Sequence, residues 1–169
     1  MKRGLLYMIT FSILISCVPY IGGKTKFPLP SKGQILDFSI VAVNESITRE
    51  EYIIIMLNFR NFSDNEIYIE EPNCYGKNIM AFPYDSNGNP LSLQFLMNLR
   101  CLPELRKLER NESCAIKFPY KLDYLYNFNA PGIYELRFAY YGAVLNAEGE
   151  KIANDCSTFS NLIKIELTD

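Results

Sequence analysis

The chain has no histidine and no tryptophan. Histidine is the side chain that titrates nearest neutral pH, the commonest metal ligand, and the base of Ser–His and Cys–His nucleophile pairs. Without it the expectation of an enzyme falls, and only carboxylates remain as acid–base candidates. No Cys-x-x-Cys occurs, so a thioredoxin-type redox site or a zinc knuckle has no support. No internal repeat or low-complexity tract is present, and no basic stretch is long enough to grip a nucleic acid backbone.

What is present begins at the amino terminus. Lys2 and Arg3 form a short basic head, and Gly4 to Ser16 follows without a charge. A basic head and an apolar run of roughly 7–15 residues ending at a small residue read as a secretory signal. A permanent transmembrane helix needs about 20 apolar residues. The run reaches that length only if Cys17, Pro19 and Gly22-Gly23 are counted in, which makes it the second reading. Leu14-Ile15-Ser16-Cys17 resembles the lipobox of bacterial lipoproteins. The resemblance implies that residues 1–16 are removed and that Cys17 is acylated and becomes the first mature residue. A plain signal with an incidental cysteine is the alternative. Fatty chains contribute about 0.8 kcal/mol of membrane binding per buried methylene, so several of them anchor firmly. Val18 stands where an Asp would imply inner-membrane retention in that family. The expected address is therefore the bacterial envelope, at the outer membrane or the cell surface. Residues 17–33 read as the lipidated terminus and a flexible tether rich in Gly, Pro and Lys. Residues 34–169 form the body.

Loss of Lys2 and Arg3 leaves 15 basic residues against 19 acids, a net charge of about −4. No nucleic acid partner is expected of so mildly acidic a chain. About 135 residues make one domain. Cys74, Cys101, Cys114 and Cys156 are even in number, in a chain expected to meet an oxidising compartment. Three pairings are possible and the sequence does not choose. Cys101–Cys114 with Cys74–Cys156 is favoured, the short first loop being worth about 3 kcal/mol on the chain-entropy model. Four partly buried thiols are the alternative.

The body alternates with period two. Leu36, Phe38, Ile40 and Ala42 share a face, as do Ile53, Ile55, Leu57 and Phe59. Ile67 and Ile69 follow, then Met80, Phe82 and Tyr84. Cys114, Ile116, Phe118 and Tyr120 alternate in turn, as do Tyr134, Leu136, Phe138 and Tyr140, and last Ile163, Ile165 and Leu167. "DSNGNP", Asp85 to Pro90, is a turn in which Asn87-Gly88 supplies positive backbone angles. Leu91 to Leu108 is expected to be irregular, with a short helix in "ELRKLER". About seven such strands predict an all-β fold, a single antiparallel sandwich.

"APGIYELRFAYYG" resembles the late strand of immunoglobulin-like domains. Tyr134, two residues after Gly132, stands where that family has its tyrosine corner, a hydroxyl bonded back to the preceding chain. Leu136 replaces the second core cysteine, and the inter-sheet disulfide and its Trp are missing. The order Asn111-Glu112-Ser113, Pro131-Gly132-Ile133-Tyr134, Ser160-Asn161 is closer to immunoglobulin-like modules of bacterial envelope proteins. The resemblance covers about 60 residues and implies architecture, not activity.

Sites are few. Glu70 and Glu71 point to opposite faces and read as a solvated sheet edge rather than an acid–base pair. Asp85, Asn87 and Asn89 have calcium-loop spacing, but the downstream Glu is missing. No metal or cofactor is expected. Arg106, Lys107 and Arg110 read as a solvated face. Asn44, Asn61 and Asn111 each open an Asn-x-Ser triplet, read as chance. Aromatics between Tyr120 and Phe128 cover an open end of the sandwich or make a recognition surface. Tyr124, Tyr126 and Tyr141 are the candidate binding residues. Val144 to Cys156 reads as a long hairpin loop tied down by Cys156. The whole implies a non-enzymatic envelope lipoprotein that binds a protein partner, with an immunity or inhibitor role as one form of it. A glycan-binding accessory or adhesin module and a carboxylate-dependent hydrolase are the alternatives.

Overall fold

The computed structural model describes residues 34–73, 75, 77–93, 102, 104–121, 126–128, 130–152 and 158–169. Among them are eleven strands and no helix. Cys17, Cys74, Cys101, Cys156 and Tyr124 lie outside the described residues.

Strands β1 (Leu36–Ala42), β3 (Tyr52–Asn61) and β7 (Ser113–Lys121) form one antiparallel sheet in the order β1-β3-β7. The second sheet centres on β8 (Gly132–Tyr140). On one side of it lies β5 (Ile79–Tyr84). On the other run β10 (Thr158–Phe159) and then β11 (Ile163–Thr168), two halves of one interrupted strand. A short β2 (Ser46–Thr48) leaves the first sheet and pairs with β11, the one parallel strand pairing among the described residues. First-sheet strands β1, β3, β7 and second-sheet strands β5, β8, β10/β11 reproduce the A-B-E and C-F-G order of an immunoglobulin-like sandwich. The expected fold class is therefore the observed one.

Alternation positions the core. Ile53, Ile55, Leu57 and Phe59 of β3 face Leu136, Phe138 and Tyr140 of β8, and all are buried. Phe59 stacks on Phe38 at 4.9 Å and meets Tyr140 edge-on at 5.0 Å; Tyr120 meets Phe138 at 5.6 Å. Each such side chain, fully buried, contributes roughly 1.5–3 kcal/mol. Tyr134 donates its hydroxyl to the carbonyl of Ala130 at 2.6 Å, which is the tyrosine corner the sequence implied.

A third, small sheet was not foreseen. Strand β4 (Ile67–Glu70) lies between β6 (Leu105–Leu108) and β9 (Val144–Leu145). It corrects two expectations. "ELRKLER" is a strand and not a helix, because pairing with β4 seats Leu108 beside buried Ile67. The hairpin expected in Val144 to Cys156 is present as a tight turn about Asn146–Glu150, entered by the paired strand β9. Glu70 belongs to a central strand, not a sheet edge.

Two further corrections concern phase. In β5 the inward residues are Ile79 and Ala81, while Met80, Phe82 and Tyr84 face the outer side. In the Asp85–Asn89 turn Gly88 has φ of 80°, but Asn87 is not left-handed; among the described residues Asn111 is the one non-glycine with positive φ.

Edge strands are closed by side chains and by proline. β5 and β7 carry Pro83 and Pro119, residues tolerated at sheet edges because they lack an N–H. At Ala81 the outer edge of β5 gives its N–H to Tyr75 Oη at 3.0 Å and receives Tyr126 Oη at 2.6 Å on its carbonyl. Asn44 extends the edge beside β3, accepting from Ile54 N at 2.7 Å and donating to Tyr52 O at 3.1 Å.

Candidate functional site

The residues singled out in the sequence do not converge on one place. Cys114 is buried on the inner face of β7. Its favoured partner Cys101, like Cys74 and Cys156, lies outside the described residues. Tyr126, expected on a binding surface, is in the core with 4% of its surface exposed. The reason is physical: its hydroxyl completes the edge of β5 at Ala81, so the ring sits inside. Tyr120 and Phe128 are buried too. Within the described part of this stretch, packing is the reading that holds. Tyr141 is outward as expected, 46% exposed.

The charged groups are tied to one another. Arg106 Nε donates to Glu71 Oε1 at 2.6 Å, and its Nη2 reaches the same oxygen. Lys107 pairs with Glu66 at 2.5 Å and Glu109 at 2.8 Å, and Arg110 with Asp64 at 3.0 Å. The bonds from Glu109 and Glu66 hold the Lys107 ammonium above its ordinary range, and Lys107 holds Glu66 below the usual carboxylate range. Lys107 and Arg110 lie on an exposed face as expected, whereas Arg106 is half-buried against Glu71. Asp85 spends its carboxylate inside its own turn. Asn87 N and Asn89 N donate to Oδ1, Asn89 Nδ2 donates to Oδ2, and these bonds, led by Asn89, lower its pKa. Among the described residues no three metal-ligating side chains gather.

One buried acid stands apart. Asp37 lies on the outer side of β1, opposite Arg60 of β3, with 9% exposed. Burial raises its pKa, against the opposing pull of Phe38 N–H, Arg60 and Gln34. The Arg60 guanidinium lies over the Phe62 ring at 4.9 Å, and its buried Nε has no hydrogen-bond partner among the described residues.

The same outer face turns apolar further along. Since Ile53, Ile55 and Leu57 point inward, Tyr52, Ile54 and Met56 point out. Register sets Met56 between Val41 and Lys117, Ile54 beside Pro119, and Tyr52 beside Lys121. Val43, at the end of β1, is 63% exposed and Tyr52 54%. The resulting strip of Val41, Val43, Tyr52, Ile54 and Met56 is rimmed by two lysines. Sequence reasoning missed it, yet the signal was there: "YIIIML" is a continuous apolar run, and half of any such run on a sandwich strand faces outward.

No protein-family model matches the sequence, and no curated relative does. Among solved structures, the chain aligns with the CARDB domain of the PF1109 protein from Pyrococcus furiosus, in complex with di-metal ions. Identity is 9% and the TM-score 0.36, over 79% of this chain and 87% of that one. It also aligns with a mutant beta-glucosidase from Listeria innocua in complex with laminaribiose. There identity is 13% and the TM-score 0.36, over 79% of this chain and 16% of that one. Likeness at this level carries neither a metal site nor an activity to this chain; its fold class rests on its own strand order.

Proposed function

We propose that the chain is a lipid-anchored module of the bacterial envelope whose β-sandwich binds another envelope or secreted protein. The observation that supports this best is the outer face of β1-β3-β7. A lone exposed apolar residue is ordinary, but exposed Val43 and Tyr52, continued by half-buried Val41, Ile54 and Met56 on a rigid sheet, make a recognition surface. Tyr52 supplies a large ring at low entropic cost, and Lys117 and Lys121 supply a charged rim. Acylation at Cys17 would hold this face near the bilayer. The rival reading, stacking of sugars on outward tyrosines, loses Tyr126 to the core and keeps Tyr141.

The test is affinity retrieval from detergent-solubilised envelopes with the native chain and with a Val43→Asp/Tyr52→Asp variant. The proposal expects a specific protein recovered by the first and lost with the second. The same set recovered by both, or nothing specific with either, would overturn it.

A further inference from the structure

The opposite face of the molecule, the outer side of β5-β8-β10/β11, has a different character. Four rows cross it. Met80, Ala139 and Phe159 form the first, Phe82 and Arg137 the second, Tyr84, Glu135 and Lys164 the third, and Ile133 and Glu166 the fourth. Phe159 is 48% exposed and Ile133 53%. Arg137 is held in place: its Nε donates to Ser160 O at 3.0 Å and its guanidinium lies 5.3 Å from the Phe159 ring. Phe159 in turn leans on Phe82 at 5.9 Å. The outward ions are two cations and two anions, so the face carries no net charge.

The rows are complementary to their own reversed order. Consider a two-fold axis lying in the plane of contact and crossing the strands at the level of Leu136 and Pro83, which are paired. Rotation about it lays a second copy face to face on the first and exchanges the second row with the third and the first with the fourth. Arg137 then faces Glu135 of the other copy, and Glu135 faces its Arg137. Phe82 faces the other Tyr84, ring to ring, and Phe159 and Met80 cover the row of Ile133. A contact in which each residue meets its partner twice is the signature of an isologous pair.

We infer that this face is the contact of a homodimer, with Arg137–Glu135 as its reciprocal ion pair and the Phe82–Tyr84 rings as its apolar centre. The inference concerns the face opposite the one assigned to a partner protein and stands whether or not that assignment does. Three strands and four rows make a small contact, which calls for a weak association.

Sedimentation of the full chain in density-matched detergent, over a wide concentration range, tests it. The native chain should pass from one copy to two as concentration rises. Arg137→Glu and Glu135→Arg each set like charges opposite one another twice, and each should weaken association by about tenfold or more. Mixed in equal amounts, the two variants should associate again, because every contact between them is then of opposite sign. Circular dichroism of each variant establishes that it is folded. One copy at every concentration would overturn the inference. So would association that ignores both reversals, or a mixture no stronger than its components, since either places the contact elsewhere.

Discussion

The side-chain amide of Asn161 grips both backbone groups of Ile40, 121 residues away. Ile40 N donates to Asn161 Oδ1 at 2.8 Å, and Asn161 Nδ2 donates to Ile40 O at 3.0 Å. Asn161 stands in the break between β10 and β11, and Ile40 lies on the outer edge of β1. One amide therefore does what a neighbouring strand would do, and it joins the two sheets. Ser160 makes the break possible, since its Oγ accepts from Phe138 N at 2.9 Å and donates to Asn161 O at 2.7 Å. Asn161→Asp removes the donor and sets a carboxylate oxygen against the Ile40 carbonyl. The expected loss is about 1–3 kcal/mol, read from denaturant unfolding, whereas Asn146→Asp in the exposed hairpin turn should cost less. Equal losses would show that the bridge carries little.

Gly142 has no room for a side chain. A Cβ there would lie 2.2 Å from Tyr140 Oη and 2.4 Å from its Cζ. Tyr140 cannot step aside: it is 2% exposed, wedged against Phe38 and Phe59, and its hydroxyl donates to Glu70 O at 2.7 Å. Gly142→Ala should destabilise by about 1–3 kcal/mol through overpacking. Near-UV circular dichroism should change with it, because the tyrosine must move. An unchanged melting curve would contradict this packing.

Alkali should unfold the protein. Burial raises the pKa of the Tyr75, Tyr120 and Tyr140 hydroxyls above the ordinary value of 10.0. Their neutral forms are favoured in the folded state, so the stability they contribute is complete below pH 10 and is lost as pH rises beyond it. Each hydroxyl that ionises only on unfolding removes about 1.4 kcal/mol per pH unit above 10. Tyrosinate absorbance from these buried rings should therefore appear only together with loss of the β-sheet signal. A single smooth rise with the sheet intact would refute the burial argument.

Mass spectrometry of the intact protein from its native membrane checks the amino terminus. The expectation is removal of residues 1–16, addition of acyl groups, and loss of both changes in Cys17→Ala. An unmodified thiol at Cys17 would remove the anchor from the proposal.

The strands of the two main sheets were legible because their two faces differ. In β3, β8 and β11 the inward residues are large and apolar, and charged or polar residues mark much of the other side. β5 slipped by one residue because both of its faces are apolar: Ile79 and Ala81 alternate with Met80, Phe82 and Tyr84, and period two shows alternation without saying which half is inside. "ELRKLER" has good helix formers, but burial of Leu108 beside Ile67 outweighs that propensity, and the pairing with β4 spans a separation no local pattern reports. The asparagines were the largest omission. Asn61, read as chance, is wholly buried and donates to the carbonyls of Asn65, Leu108 and Glu109 at 2.8, 3.1 and 3.0 Å. Asn111 takes φ of 59° in the turn before β7, a conformation asparagine tolerates better than most residues. For Asn61 the residue type was visible and its distant partners on Leu108 and Glu109 were not. The outward strip on β3 was missed because only the inward half of the strand, Ile53, Ile55, Leu57 and Phe59, was read.

The central claim is that the outer face of β1-β3-β7 meets another protein in the envelope. A photoreactive phenylalanine analogue placed at Tyr52 in living cells tests it most directly, with the same group at Glu148 in the exposed hairpin turn as the comparison. The account predicts one discrete cross-linked protein at position 52, absent at 148 and lost when Val43→Asp is added. No adduct at 52, or the same ladder of adducts at both positions, would contradict it.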